Sequence, residues 1–171
     1  MIMSYAIVYS TRTGNSKVLA NVIYNYLNPS ECIYFGNVED ADYSVYKADI
    51  IYVGFWTDQG KCDKLTEDFL TKLYNKKVFL FGSAGFGAHQ EYFDKIIERI
   101  KALTPASVEI VDSFICQGRM PKSVYDKYEK LKHSPVNVPN IDMLIENYHH
   151  ALSHPDAEDF KHLTNKLDSY R

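Results

Sequence analysis

The sequence predicts an α/β protein built on a doubly wound, five-stranded parallel sheet in the order 2-1-3-4-5, with helices on both faces. Short apolar runs alternate with segments of helical periodicity, which is the pattern of a parallel sheet covered by helices. The run DIIYVGF is continuously apolar, as expected of a strand buried on both faces. Crossovers between parallel strands are right-handed, so few topologies fit this pattern.

The individual elements follow from the spacing of the apolar residues. A first strand at Tyr5–Tyr9 precedes a helix at Asn15–Tyr26, whose apolar positions recur at helical spacing. Further helices are predicted at Thr66–Tyr74 and Gln90–Leu103, and the second of these is strongly amphipathic. The remaining strands are predicted at Cys32–Phe35, Asp49–Phe55, Lys77–Gly82 and Val108–Cys116.

The part of the chain after the fifth strand is predicted to be helical. Pro155-Asp156 is typical of a helix start. The expected helices are Lys122–Lys132, Ile141–Leu152 and Asp156–Leu167. We expect residues 1–171 to form one domain, on which residues 121–171 pack as a C-terminal extension. This extension is longer than one closing helix requires, so it is expected to cover a ligand, form a dimer surface or dock a dedicated partner.

Composition limits the classes of function. The 171 residues are 46% hydrophobic and 24% charged, which is the profile of a globular protein. The net charge is −3 and the basic residues are dispersed, so nucleic acid is not an expected partner. No apolar run approaches the roughly 20 residues that span a bilayer. The start MIMSYAIVYS has no basic residues ahead of its apolar ones, so we expect no signal peptide and a cytoplasmic location.

The cysteines and histidines predict neither a disulfide framework nor a metal site. Cys32 and Cys116 lie in strand-like runs and are expected to be buried. Cys62 lies in a predicted loop without a CxxC partner or a neighbouring histidine, so it is expected to be chemically idle. His150 and His154 are four residues apart, but no third ligand accompanies them. No catalytic residue is predicted.

The loop after the first strand has the composition of a phosphate site. It opens a helix, whose first N–H groups are unpaired and carry a partial positive charge. Hydroxyl and amide side chains add donors, and Gly14 lets the backbone turn close to an anion. The loop lacks the lysine of a Walker loop and the repeated glycines of a dinucleotide-binding loop. Its residues are Ser10, Thr11, Arg12, Thr13, Gly14, Asn15 and Ser16.

This loop resembles the phosphate signature of flavodoxins and flavodoxin-like domains, Ser/Thr-x-Thr-Gly-Asn-Ser/Thr after an N-terminal strand. The resemblance covers the chain from Met1 to about Arg119. It implies that FMN is the cofactor and that residues 10–16 hold its phosphate without a metal. Arg12 departs from the usual type and either pairs with the phosphate or faces solvent. Because Val108–Cys116 is uninterrupted, the chain resembles the short-chain type.

Two further loops are expected to border the flavin ring, because they follow the third and fourth strands. In the first, Trp56 either stacks on the ring or plugs the core, and Thr57 is placed to bond the N5 side. Gln59-Gly60 is the expected redox-linked peptide, since a peptide followed by glycine turns at low cost. The residues of this loop that the resemblance assigns to the cofactor are Phe55, Trp56, Thr57, Gln59 and Gly60.

The loop after the fourth strand is rich in glycine, which indicates close approach of its backbone to a ligand. Phe86 is the expected aromatic wall, with Tyr92 as the alternative. The residues assigned to the cofactor here are Ser83, Ala84, Gly85, Phe86 and Gly87. The segment Gln117–Met120 after the fifth strand is interpreted as a turn before the next helix, and bordering the site is its alternative role.

The resemblance implies an electron carrier that exchanges electrons with a reductase and an acceptor enzyme, as a monomer or weak dimer. Two other functions stay open. One is an FMN-dependent NAD(P)H:quinone or small-molecule reductase, and the other is an interaction module that binds flavin weakly. The mild net charge of −3 provides little of the long-range field by which acidic carriers attract basic partners.

Overall fold

The computed structural model describes residues 3–87 and 89–171. Met1 and Ile2, the first residues of the stretch for which no signal peptide is expected, and Ala88 lie outside the described residues. The parallel strands have the order β2-β1-β3-β5-β6, and β4 pairs antiparallel with the end of β3. The predicted order is therefore confirmed, with β4 as an addition. The strands are β1 (Tyr5–Tyr9), β2 (Cys32–Asn37), β3 (Ile50–Asp58), β4 (Lys61–Cys62), β5 (Lys77–Ala84) and β6 (Glu109–Gln117).

Six α-helices are assigned in the described part of the chain. Most boundaries agree with the prediction to within two residues, but α2 ends at Leu70 rather than Tyr74. It also begins earlier, because the Asp63 side chain caps it by accepting a hydrogen bond from the Thr66 N–H. The helices are α1 (Asn15–Tyr26), α2 (Lys64–Leu70), α3 (Gln90–Leu103), α4 (Lys122–Lys132), α5 (Ile141–Ala151) and α6 (Ala157–Leu167).

Helices cover both faces of the sheet, as predicted. On one face, apolar residues of α2 and α3 such as Leu70 and Ile100 are buried against the strands. On the other face, Ile23 of α1 and Leu167 of α6 are buried in a second cluster. Burial of this apolar surface on each side is the main stabilising contribution to such a sheet. None of the described helices is long and apolar enough to cross a bilayer.

A β-hairpin replaces the loop that was expected after Phe55. β3 continues to Asp58, and Asp58 pairs with Lys61 across a two-residue turn. The central residues of this turn, Gln59 and Gly60, have φ angles of 49° and 78°. Positive φ at both central positions is the geometry of a type I′ turn, which matches the twist of paired strands. The fully buried part of β3 ends at Phe55, since Trp56 and Thr57 are partly buried and Asp58 is exposed.

The cysteines differ in burial. Cys116 is buried as expected, and Cys62 is buried within β4 rather than lying in a loop. Burial raises the pKa of the Cys62 thiol to about 12. Cys32 is only partly buried, which differs from the expectation. The reason is that β2 is an edge strand with residues open to solvent on several sides.

The C-terminal extension is anchored at two places. α6 packs on α1 and β6, and the Tyr170 hydroxyl donates a hydrogen bond to the Val111 carbonyl. α4 and α5 pack on each other, and Tyr125 of α4 stacks on Tyr148 of α5 with ring centroids 5.2 Å apart. This pair lies near the carboxyl ends of the strands, where it contributes to the site described next.

Candidate functional site

A cleft of about 330 Å³ lies at the carboxyl ends of the central strands. This is the position expected for a ligand in a doubly wound sheet, and the volume falls within the range of small-molecule sites. Four segments form its walls. The lining residues are Arg12, Thr13, Asn15, Trp56, Thr57, Asp58, Gln59, Gly60, Ser83, Gly85, Phe86, Tyr92, Gly118, Arg119, Met120, Pro121, Val124 and Tyr128.

The loop between β1 and α1 forms the first wall. Gly14 stands at the helix cap with φ 90°, a left-handed conformation that favours glycine. No side chain caps α1, and its first turn contains no acidic residue. The positive end of the helix is therefore available to an anion, as the sequence predicted. Arg12, Thr13 and Asn15 extend from this loop to the cleft.

Other residues of the same loop hold it in shape. The Ser10 N–H donates to the Gly54 carbonyl at 2.9 Å, and the Thr11 hydroxyl accepts from the Gly14 N–H at 3.0 Å. The Ser16 hydroxyl is buried and donates to the Phe55 carbonyl at 2.7 Å. The bonds of Ser10 and Ser16 fix the loop to β3, and the bond between Thr11 and Gly14 lies within the loop. None of these four residues is among the lining residues of the cleft named above.

The β3–β4 hairpin forms the second wall with Trp56, Thr57, Gln59 and Gly60. The Arg12 guanidinium carbon lies 5.4 Å from the centroid of the Trp56 ring, which connects this wall to the first. Phe55, also predicted here, is fully buried in the core behind the cleft.

The Thr57 hydroxyl oxygen is the unusual atom of this wall. It is buried, and it has no hydrogen-bond partner among the described residues. Buried polar atoms are nearly always paired, and the Thr57 hydroxyl would gain a partner if its side chain turned toward a ligand in the cleft.

The loop after β5 forms the third wall through Ser83, Gly85 and Phe86. Both predicted aromatic candidates take part, because Tyr92 also lines the cleft and meets Phe86 edge to face, with ring centroids 6.5 Å apart. Ala84 is buried within β5. Gly87 lies at the far side of the loop, where the Gln117 side chain packs beneath it.

A fourth wall comes from the end of β6 and from α4. The sequence predicted the segment after β6 here only as an alternative, and it did not predict the residues of α4. The segment Gln117–Met120 was interpreted as a turn, with bordering the site as its alternative role. Its last three residues line the cleft, in agreement with the alternative. A Cβ atom on Gly118 would lie 2.8 Å from both Asn15 Cγ and Ser83 Cβ, so the close approach requires glycine. Lining residues from this wall are Gly118, Arg119, Met120, Pro121, Val124 and Tyr128.

The Arg119 backbone ties this fourth wall to the phosphate-type loop. Its carbonyl accepts hydrogen bonds from the Thr13 hydroxyl and the Asn15 amide, each at 3.0 Å. Its N–H donates to the His154 carbonyl at 3.1 Å. A polar, glycine-containing segment at the carboxyl end of a strand was the available signal, since the same criterion identified the other three loops.

One group of described side chains has the composition of a metal site. Ligand atoms of His154, Asp156 and Asp159 lie within 4.8 Å of one another. Both carboxylates already form the capping box of α6, and Asp159 also accepts a hydrogen bond from the His154 ring at 2.7 Å. The group is therefore explained by the start of a helix.

The fold and the site define a flavodoxin-like cofactor protein. The flavodoxin domain family matches residues 6–167, and the chain belongs to this family. The cleft fits its cofactor: an uncapped helix end suits a phosphate, aromatic residues border the space for a ring, and the Thr57 hydroxyl lacks a partner. The family and the site agree on FMN as the cofactor.

Two relatives bear the description flavodoxin-like domain-containing protein BilS. The chain is 39% identical over 171 residues to the protein of Clostridium symbiosum (strain WAL-14163), covering 92% of this chain and 90% of the relative. It is 38% identical over 160 residues to that of Clostridioides difficile (strain CD3), again covering 92% and 90%.

Solved structures agree with the fold. The two-electron reduced flavodoxin of Megasphaera elsdenii matches with a TM-score of 0.51 and 25% identity, over 86% of this chain and 99% of that chain. Oxidised Flavodoxin 2 from Bacillus cereus matches with a TM-score of 0.60 and 19% identity, over 98% and 97%. The second likeness concerns the fold alone.

Proposed function

We propose that this chain carries electrons one at a time on bound FMN, between a reductase and a redox enzyme. The observation that carries the proposal is the buried, unpaired Thr57 hydroxyl in the wall of a cleft that also contains an uncapped helix end. FMN, when bound, supplies the one-electron chemistry. The N-terminus of α1 with Arg12 would hold its phosphate, and Trp56 would border its ring.

The side chains around the cleft favour a carrier over an enzyme that protonates a substrate. The described lining residues include no histidine and no cysteine. Burial raises the pKa of Tyr92 and of Tyr128, so both phenols stay protonated and weakly acidic near neutral pH. A reductase acting on a small molecule would need a proton donor that these groups supply poorly.

The decisive experiment measures how the FMN-loaded chain is reduced without oxygen. We expect NADPH alone to leave the flavin oxidised, and a catalytic amount of an NADPH-dependent flavoprotein reductase to reduce it. Stepwise reduction should pass through a well-populated one-electron form. Rapid reduction by NADPH alone, directly by two electrons, would instead establish the small-molecule reductase. Failure of the purified chain to bind FMN would leave only the interaction module.

Substitution of Thr57 tests whether its hydroxyl binds the cofactor. Thr57→Val removes the hydroxyl at nearly constant volume, and we expect the FMN dissociation constant to rise roughly tenfold because a hydrogen bond to the cofactor is lost. Thr57→Ser keeps the hydroxyl and serves as the matched control, with less than about a threefold change. Titration of the apo chain with FMN, followed by quenching of flavin fluorescence, measures both. Equal affinities of the two variants would contradict the assignment.

A further inference from the structure

We propose that an amide clamp, formed by Gln117, Asn147 and His150, holds the loop after β5 in the conformation that binds the flavin. Gln117 is the last residue of β6, and the other two residues belong to α5 of the C-terminal extension. The proposal rests on the proposed function for its cofactor. It makes Asn147 and Gln117 positioning residues, since neither lines the described cleft.

The clamp acts on one backbone atom, the Gly85 carbonyl oxygen. This oxygen accepts hydrogen bonds from Gln117 Nε2 and Asn147 Nδ2, each at 3.0 Å. The two amides also bond each other, because Gln117 Nε2 donates to Asn147 Oδ1 at 3.1 Å. Both lone pairs of the carbonyl are thus used, and both side chains are fixed by more than one contact.

His150 fixes the orientation of the Gln117 amide. Its Nδ1 lies 3.1 Å from Gln117 Oε1. An amide oxygen only accepts hydrogen bonds, so the imidazole must donate from Nδ1. The His150 ring in turn stacks on His154, with centroids 5.4 Å apart and planes 23° from parallel. The amide of Gln117 consequently presents its nitrogen, rather than its oxygen, to the Gly85 carbonyl.

The position of the clamp decides which groups face the ligand. Gly85 and Phe86 line the cleft, while Asn147, which donates to the Gly85 carbonyl, does not. In a planar trans peptide the C=O and the following N–H point in opposite directions. Because the Gly85 carbonyl points to the clamp, the Phe86 N–H points away from the clamp and stays available to a ligand. That donor suits the carbonyl oxygens of a uracil-like ring edge.

The loop needs such an external hold. Glycines at 85 and 87 give its backbone more freedom than other residues would, and ordering it costs conformational entropy. Gln117 also packs closely beneath the loop, since a Cβ atom on Gly87 would lie 2.9 Å from Gln117 Cγ. The extension therefore acts on the cofactor site indirectly, by setting the shape of one wall.

The test compares Asn147→Ala with Asn165→Ala in the full-length chain. Asn165 lies exposed on α6 and shares no hydrogen bond with the described residues of the loop, so it provides the same substitution on a different helix. Backbone hydrogen exchange of the apo chain reports on the loop after β5, and fluorescence titration reports the FMN dissociation constant. For Asn147→Ala we expect faster exchange in the loop, unchanged exchange in β1, and a roughly tenfold higher dissociation constant. Asn165→Ala should change neither.

A second variant tests the hydrogen bond that Asn147 donates to the Gly85 carbonyl. Asn147→Asp keeps the oxygen that accepts from Gln117 but replaces the donor to Gly85 with a carboxylate oxygen, which repels the carbonyl. Its affinity for FMN should be at least as low as that of Asn147→Ala. Wild-type loop exchange and affinity in both Asn147 variants would overturn the clamp, and so would faster loop exchange without weaker FMN binding. If the wild-type chain itself bound no FMN, the proposed function would fail first, and the clamp's role in cofactor binding with it.

Discussion

The β3–β4 turn and the loop after β5 border the same cleft, but different parts of the chain hold them in place. The turn is supported by strand pairs directly beside it, Thr57 with Cys62 and Asp58 with Lys61. In the loop after β5, the Gly85 carbonyl is bound by side chains that lie 32 and 62 residues further along the sequence. One wall of the site is therefore held by its own strand pairs and by Arg99 of α3, which donates to the Gly60 carbonyl, while the other depends on the C-terminal extension.

This difference has a consequence for substitutions. Changes in the extension should loosen the loop after β5 and leave the turn intact, because the turn shares no described hydrogen bond with α4 or α5. Changes at the turn should act on the electronic properties of the cofactor more than on the shape of the opposite wall. The largest effect is expected at Gly118, where the end of β6 packs against the phosphate-type loop and the end of β5.

Gly118 is the point where the largest effect is expected. Its Cα lies so close to the first and third walls that a Cβ would sit 2.8 Å from both Asn15 Cγ and Ser83 Cβ. Gly118→Ala should lower the free energy of unfolding by about 2 kcal/mol, because a packed backbone position cannot accept an added methyl group without strain. Urea unfolding of the apo chain, followed by circular dichroism, measures this.

Gly36→Ala is the matched control for that substitution. A Cβ at Gly36 would meet only the tip of the Tyr34 side chain, which can shift at the cost of its hydrogen bond to the Asn37 carbonyl at the edge of the sheet. We expect a loss of less than about 1 kcal/mol. Equal losses for the two variants would show that the end of β6 is not packed as tightly against the site as the structure indicates.

The two walls also differ in how far the sequence predicts them. The phosphate-type loop was predictable because a helix start, hydroxyl residues and Gly14 are neighbours in sequence. The hairpin was missed because pairing of Thr57 with Cys62 leaves no mark in the apolar pattern. Asn147 carries no local signal at all, since a polar residue on a helix ordinarily faces solvent. Its role depends on where α5 packs, and that is a property of the tertiary structure.

A substitution at Gly60 tests the role of the β3–β4 turn. Its φ of 78° is unfavourable for alanine, and a Cβ would enter the space of the Arg99 guanidinium, which donates to the Gly60 carbonyl at 3.0 Å. Gly60→Ala should cost about 1–2 kcal/mol of stability. It should also make the first reduction step of bound FMN more negative, because the Gln59-Gly60 peptide loses its freedom to turn. Anaerobic potentiometric titration measures the two couples.

Arg99→Met distinguishes an effect of the lost Arg99 hydrogen bond from an effect of the lost freedom of the Gln59-Gly60 peptide. It removes the hydrogen bond to the Gly60 carbonyl without adding a Cβ to the turn. If the first reduction potential of bound FMN shifted in Gly60→Ala but not in Arg99→Met, the effect would be assigned to the freedom of the peptide. Unchanged couples in Gly60→Ala would remove Gln59-Gly60 from consideration as the redox-linked peptide.

Arg12 connects the phosphate-type loop to Trp56 and gives a smaller expected effect, because it is exposed. Arg12→Ala should raise the FMN dissociation constant roughly fivefold, through the loss of a screened cation beside the phosphate. Arg12→Lys keeps the charge and should recover most of the affinity. The difference between the two variants should shrink at high salt. Wild-type affinity of Arg12→Ala at low salt would mean that this side chain only faces solvent.

The smallest expected effect concerns Cys62, whose rate of alkylation should be the same in the wild-type chain and in Asn147→Ala. This comparison tests whether the β3–β4 turn is independent of the C-terminal extension. The thiol is 1% exposed, and burial raises its pKa to about 12. A free thiol ionises near pH 8.5, so the folded chain keeps Cys62 protonated at pH 9 where the unfolded chain does not. Protonation of the buried thiol therefore contributes stability that is present below pH 8.5 and is lost as the pH rises toward 12.

Alkylation rates, read for each cysteine by peptide mass spectrometry, measure this protection. Cys62 should react slowly at pH 7 and at pH 9, equally in the wild-type chain and in Asn147→Ala. The partly buried Cys32 is the internal comparison, and denaturant should expose all three cysteines. If Asn147→Ala accelerated alkylation of Cys62, the β3–β4 turn would also depend on α5, and both walls would have to be treated as one unit supported by the extension.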